Sequence, residues 1–278
     1  MQIAFTKMHG LGNDFVVIDT RANNNNPLLT PATVRQLGDR HTGVGFDQLL
    51  LIDDATDDAH AAYRIFNADG DAVGQCGNGA RCIAAYLQAR DGYAEGDHLT
   101  LASPSGPVHA VLADQGEVMV AMAIPSLQPA DIPLARDAAQ PLHTFDVAGQ
   151  VVAGCALSVG NPHCVIFVDD VDSAPVATVA PALQSSADFP EGVNVGFAEI
   201  TGRDALRLRV VERGVGETRA CGTGACAAAV AAIVNGHTER TVKVTLPGGT
   251  LVLDWPAPEE RVQMTGPTAV AFEGHIQL

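Results

Sequence analysis

The sequence predicts a fold of the α/β class, α+β in type, in which two pseudo-symmetric halves each wrap a β-sheet around one central α-helix. Three observations carry that expectation. Most of the chain reads as short apolar or β-branched runs. Only two segments read as strongly helical. Those two segments open with nearly the same residues, about half a chain apart.

The strand-like runs of the first half are residues 3–7, 15–19, 49–53, 63–67, 108–112 and 118–124, bounded by Gly, Pro, Asp and Asn. The second half continues with 151–159, 164–168, 193–197, 206–212, 242–246 and 251–255. The asparagine tetrad 23–26 before Pro27 reads as a solvated loop and receives no function. Residues 80–90 carry Ile83, Ala84, Tyr86 and Leu87 among good helix formers and stop at Asp91-Gly92. Residues 225–234 are apolar on every face and stop at Asn235-Gly236, a helix C-terminal signal. A helix apolar all round but too short to span a bilayer belongs in a protein core. With strands on either side of each helix in sequence, the simplest packing is a sheet curled around it.

The first helix opens Cys76-Gly77-Asn78-Gly79-Ala80-Arg81-Cys82 and the second opens Cys221-Gly222-Thr223-Gly224-Ala225-Cys226, an offset of 145 residues. Gly12-Asn13-Asp14-Phe15 resembles Gly160-Asn161-Pro162-His163 at an offset of 148. Gln48 and Asn194, each leading into an apolar strand, differ by 146. Three matches in one order at nearly one offset mark two related halves.

Composition narrows the function classes. The 278 residues suffice for one large domain or two of ordinary size, with the apolar and charged fractions of a soluble globular protein. A net charge of −16 argues against a nucleic-acid partner, whose phosphates need a basic surface. No apolar run reaches the roughly 18 residues of a membrane span. The first residues lack the basic and apolar regions of a secretory signal. A cytoplasmic protein is expected, with its six cysteines reduced. No Cys-x2-Cys pair occurs, which argues against a structural zinc site, and no metal is expected.

One Cys-Gly-x-Gly-Ala opening already implies chemistry. Its glycines let a ligand approach the unpaired N–H groups of the helix start, which favour an anion such as a carboxylate. The same field is expected to lower the pKa of the cysteine. Two such openings facing one another would place a thiolate and a thiol on opposite sides of a carbon, so that one takes a proton as the other delivers one. That arrangement inverts the centre, with the helix N-termini stabilising the added negative charge. Cys82, Cys155, Cys164 and Cys226 fall within apolar runs and read as small hydrophobes instead. A dinucleotide-binding reading of Gly222-Thr223-Gly224-Ala225-Cys226-Ala227 fails, because no buried strand precedes it and no acidic residue closes the following strand.

Taken together, Gly12-Asn13-Asp14-Phe15, Cys76 to Cys82, Gly160-Asn161-Pro162-His163 and Glu212-Arg213-Gly214-Val215-Gly216-Glu217-Thr218 leading to Ala220-Cys221-Gly222-Thr223-Gly224 resemble the diaminopimelate epimerase family nearly from end to end. The resemblance implies an N-terminal domain of residues 1–117 plus 266–278 carrying Cys76, and a C-terminal domain of residues 118–265 carrying Cys221. It implies a ligand cleft between them and interconversion of LL- and meso-diaminopimelate on the route to lysine and peptidoglycan. No cofactor is implied, pyridoxal phosphate included; the chain's only two lysines, Lys7 and Lys243, both fall in expected strands.

Position by position, Cys76 and Cys221 resemble the acid/base pair. Asn13, Gln48, Asn67, Asn161, Asn194, Glu212 and Arg213 match substrate-binding positions, with Gly77-Asn78 and Gly222-Thr223 as carboxylate cradles. Such a set suits a substrate with two zwitterionic ends: amides that donate and accept, one carboxylate for ammonium, one Arg for the distal carboxylate. His163 and Glu212 match positions that tune the cysteines. A homodimer is implied, although Phe272 stands where the family often has a tyrosine at its dimer contact. Proline-racemase-like proteins favour His where this chain has Asn78, phenazine-type isomerases lack both cysteines, and a non-catalytic amino-acid-binding protein would need neither.

Overall fold

A computed structural model describes residues 2–21, 29–55, 58–147 and 149–277. The asparagine tetrad 23–26 lies outside them. In chain order the elements are β1 (Gln2–Gly10), β2 (Asn13–Asp19), α1 (Pro31–Gly38), β3 (Gln48–Asp53), β4 (Ala61–Asn67), β5 (Ala72–Val73), α2 (Gly77–Asp91), β6 (His98–Ser103), β7 (Gly106–Leu112) and β8 (Glu117–Ala121). There follow β9 (His143–Val147), β10 (Gln150–Ser158), β11 (Pro162–Phe167), α3 (Val176–Gln184), β12 (Asn194–Gly202), β13 (Ala205–Glu212) and β14 (Gly216–Thr218). The last are α4 (Gly222–Val234), β15 (Thr241–Leu246), β16 (Gly249–Asp254), β17 (Gln263–Pro267) and β18 (Ala269–Gln277).

The chain forms two compact units, one of residues up to 121 together with those from 265 onward, the other of residues 122–264. In the first, β18 pairs antiparallel with β1, β1 antiparallel with β2, β2 parallel with β3, β3 antiparallel with β4, and β4 parallel with β6. The second unit repeats that order. There β9 pairs antiparallel with β10, β10 antiparallel with β11, β11 parallel with β12, β12 antiparallel with β13, and β13 parallel with β15. The short strands β5 and β14 add to β4 and β13 at matching places. The repeat seen as an offset in sequence is therefore a repeat of strand direction and register.

Each unit packs its sheet around its helix. In the first, α2 lies against β1, β2, β3, β7 and β8; in the second, α4 lies against β10, β11, β12, β13, β15 and β16. Every residue of α4 from Gly224 to Ala232 is buried, six of the nine being alanine, so its backbone approaches strands on all sides. Polar side chains on such a helix would lose water without gaining partners. Helix α2 is buried through Ala84 and at Leu87, while its last turn reaches solvent and ends on Gly92 in the left-handed region. Cys82, Cys155, Cys164 and Cys226 are fully buried in helix or strand, as small apolar side chains.

Several elements are absent from the sequence reading. Strand β18 is mostly exposed and has no apolar period; its conformation comes from backbone pairing with β1. Helix α1 is only two turns long and is started by Thr30, whose hydroxyl accepts from the Thr33 N–H. Helix α3 contains Pro181, which reads as a breaker in sequence.

Candidate active site

In the first unit the extended residue Cys76 (φ −144°, ψ 114°) caps α2, its Sγ accepting from the Gly79 N–H at 3.4 Å. In the second, Cys221 (φ −128°, ψ 108°) caps α4 in the same way, accepting from the Gly224 N–H at 3.3 Å. Sulfur here takes the place that a Ser or Asp oxygen takes in ordinary caps. The glycine is required: a Cβ on Gly224 would stand 2.9 Å from Val210 Cγ2 and 3.2 Å from Cys221 Sγ.

Strand ends bring amides to each opening. The turns before Asn13 and Asn161 close on Gly12 (φ 86°) and Gly160 (φ 96°), a conformation that favours glycine. Asn78 Nδ2 donates to Asn13 Oδ1 at 3.2 Å, and Asn161 Nδ2 donates to Thr223 Oγ1 at 3.3 Å. Both contacts link matching positions of the repeat. Gln48 stands opposite Asn67 in the β3–β4 register and donates to its Oδ1 at 3.0 Å. Asn78 Oδ1 and Gln48 Oε1 are buried acceptors with no hydrogen-bond partner among the described residues. Such a group costs about 1–3 kcal/mol, which a ligand donor would recover.

The second unit holds the remaining expected residues. Asn194 is buried, its Nδ2 donating to the Pro162 carbonyl at 3.0 Å and its Oδ1 accepting from the Arg213 backbone N–H at 2.9 Å. Its amide thus fixes the chain at Arg213. The Arg213 side chain is exposed, donating to the Glu191 carbonyl at 2.6 Å. Glu212 ends β13 as Asn67 ends β4, and accepts from the Thr218 hydroxyl at 2.6 Å. Thr218 had no signal in the sequence beyond its place in the motif.

The expectation that the helix opening lowers the cysteine pKa is overturned at Cys221. Burial pushes this thiol up, and the neighbouring Glu212 charge pushes the same way; Thr223 and the Gly224 N–H oppose them and lose. Taking a thiolate out of water outweighs the helix field here. His163 is also buried, and burial lowers it to about 3, so the ring is neutral at physiological pH. Its Nε2 lies 3.0 Å from Asn161 Oδ1, so His163 reaches Cys221 through the Asn161–Thr223 chain, whose hydroxyl is 3.6 Å from Cys221 Sγ.

A prediction follows with a definite sign. Since the Glu212 carboxylate raises the Cys221 pKa, Glu212→Gln should lower it and raise the thiolate fraction at a given pH. Alkylation of Cys221 by iodoacetamide at mildly alkaline pH, followed by peptide mapping, should speed up severalfold. Unchanged or slower labelling would show that Glu212 does not tune this thiol.

The family profile described as diaminopimelate epimerase matches residues 5–127 and 155–270 of the chain. The diaminopimelate epimerase of Ectopseudomonas mendocina is 47% identical over the whole of both chains. That of Xanthomonas euvesicatoria is 50% identical over 98% of this chain and 96% of its own. Among solved structures, a hydroxyproline epimerase from Agrobacterium vitis with bound trans-4-hydroxy-L-proline covers 99% of this chain and 92% of its own. Its TM-score is 0.68 at 16% identity, a likeness of fold. Matched end to end at about half its residues, this chain belongs to the diaminopimelate epimerase family.

Proposed function

We propose that this isomerase interconverts LL- and meso-diaminopimelate by a two-base reaction in which Cys76 and Cys221 act on opposite faces of the α-carbon. One thiolate takes the α-proton, the electron pair passes towards the α-carboxylate, and the thiol of the other cysteine returns a proton from the far side. In the reverse direction the roles exchange. The observation that carries the reading is the matched pair of helix openings, each capped by a cysteine whose Sγ accepts from the N–H three residues on.

Within this reading Gly77-Asn78 and Gly222-Thr223 cradle the carboxylate of the reacting end. Asn13, Gln48, Asn67, Asn161, Asn194, Glu212 and Arg213 bind the substrate, with Glu212 suited to ammonium and Arg213 to the distal carboxylate. No cofactor takes part. The reading assigns the enzyme to lysine biosynthesis and to the cytoplasm, whose reducing conditions keep both cysteines as thiols. Among the described residues no helix is long and apolar enough to cross a membrane. A homodimer belongs to the same proposal: Val270 and Phe272 are exposed apolar side chains on β18, and Phe272 is held edge-on by Phe5 with ring centroids 6.0 Å apart.

The test is proton NMR of LL-diaminopimelate with enzyme in D2O. The α-proton signal should disappear as the meso isomer forms. A stable α-signal under conditions where the protein is folded would end the proposal.

A further inference from the structure

Asn13 and Asn161 occupy matching places in the two units, yet their amides face opposite ways. Asn13 Nδ2 donates to Asp47 Oδ2 at 2.9 Å, which leaves its Oδ1 for Asn78 Nδ2. Asn161 instead turns its Nδ2 to Thr223, and its Oδ1 faces His163. The difference has a chemical cause. An ionised carboxylate only accepts, so Asp47 can hold only the NH2 end of Asn13. The residue at the corresponding place before Asn194 is Val193, buried and apolar, so nothing there makes the same demand.

Asp47 is itself held in place. Its Oδ2 also accepts from the Asp14 backbone N–H at 3.1 Å, and its Oδ1 accepts from Arg40 Nη2 at 2.8 Å. Arg40 forks onto Asp14 as well, at 2.7 and 3.0 Å, and the Lys7 ammonium pairs with Asp14. Charge-assisted contacts of this kind are about twice as strong as neutral ones, so the carboxylate is well anchored although partly exposed.

We infer that Asp47 is a positioning residue for the epimerase reaction: it fixes the Asn13 amide, which in turn fixes Asn78 with its buried Oδ1 left as an acceptor for substrate. The inference rests on the proposed role of Asn13 and Asn78 as substrate contacts. With Nδ2 of Asn78 donating to Asn13, its Oδ1 is held pointing away from Asn13, buried and without a partner among the described residues. Without Asp47 the Asn13 amide can turn over, present its NH2 to Asn78, and force that side chain to turn as well.

The experiment is steady-state kinetics on Asp47→Ala, Asp47→Asn, Asn13→Ala and the double variant Asn13→Ala/Asp47→Ala, each checked by thermal unfolding. Asp47→Ala should raise KM about tenfold, the scale of one misplaced hydrogen bond, and leave kcat nearly unchanged. Asp47→Asn, whose own carbonyl still accepts from Asn13, should fall between it and the parent. The double variant should be no worse than Asn13→Ala, because Asp47 acts through Asn13. Additive effects of the two substitutions would overturn the inference. So would a normal KM in Asp47→Ala when Asn13→Ala raises it. An unchanged KM in Asn13→Ala would remove the site reading and this inference together. Should Asp47→Ala not fold, Asp47→Val, which offers Asn13 no acceptor, and its Asn13→Ala double carry the same comparison, and a normal KM in Asp47→Val refutes the role.

Discussion

Replacing either Cys76 or Cys221 by alanine should abolish net epimerisation in a coupled assay, because inversion needs a proton-transferring group on each face of the carbon. Loss of one general acid or base costs about 10²–10⁴-fold, and here no second group substitutes for it. The capping geometry adds a control that the chemistry alone does not offer. Each Sγ also accepts from the N–H three residues on, so alanine should lower stability by about 0.5–2 kcal/mol through loss of the cap. Serine is a good N-cap but a poor base at neutral pH. Cys76→Ser and Cys221→Ser should therefore regain most of the stability and none of the activity. Full turnover in any of the four variants would sink the two-base reading; serine variants as unstable as the alanine ones would sink the cap.

Lysine, which keeps the distal amine but lacks the distal carboxylate, should show no detectable α-proton exchange under conditions where diaminopimelate exchanges fully. A site that commits Asn67, Asn194, Glu212 and Arg213 to a second amino-acid head leaves Arg213, and any amide donating to the distal carboxylate, unpaired with such a substrate. Each polar group that a bound substrate covers without pairing costs about 1–3 kcal/mol, so several together reach about 10³-fold or more. Arg213→Met should damage turnover of diaminopimelate while leaving Cys221 alkylation unchanged, since the exposed guanidinium contacts Glu191 and not the thiol. Proline should also fail to exchange. Comparable exchange of lysine would refute the two-headed site, and faster exchange of proline would point to a racemase-like pocket.

Much of this molecule was legible without coordinates because it depends on local rules. The apolar runs that became β2, β3 and β12 are largely buried strands, and those that became β4 and β13 alternate buried residues with more exposed ones, two patterns that sequence alone reports. Helices α2 and α4 were read three residues short at their starts, since Gly77 and Gly79, Gly222 and Gly224 suit a loop equally well. What makes those turns helical is the sulfur cap and the burial of the glycine face against Leu50 and Val210, a non-local condition.

By itself, then, the sequence determined the repeat, the two capping cysteines, the amides that accompany them and the two interior helices, because each is written in residue type and spacing. Only the tertiary structure decided which way Cys221 and His163 shift: burial and the approach of Glu212 push the Cys221 thiol up against the helix field, and burial alone pushes His163 down. It also decided that β18 is a strand and that the two matching asparagines face opposite ways. A strand with exposed side chains is defined by its partner's backbone, and an amide's orientation by whichever donor or acceptor the fold brings alongside. Asp47, one residue before Gln48, looks in sequence like any acidic residue ahead of a strand; its contact with Asn13, 34 residues away, is what distinguishes it.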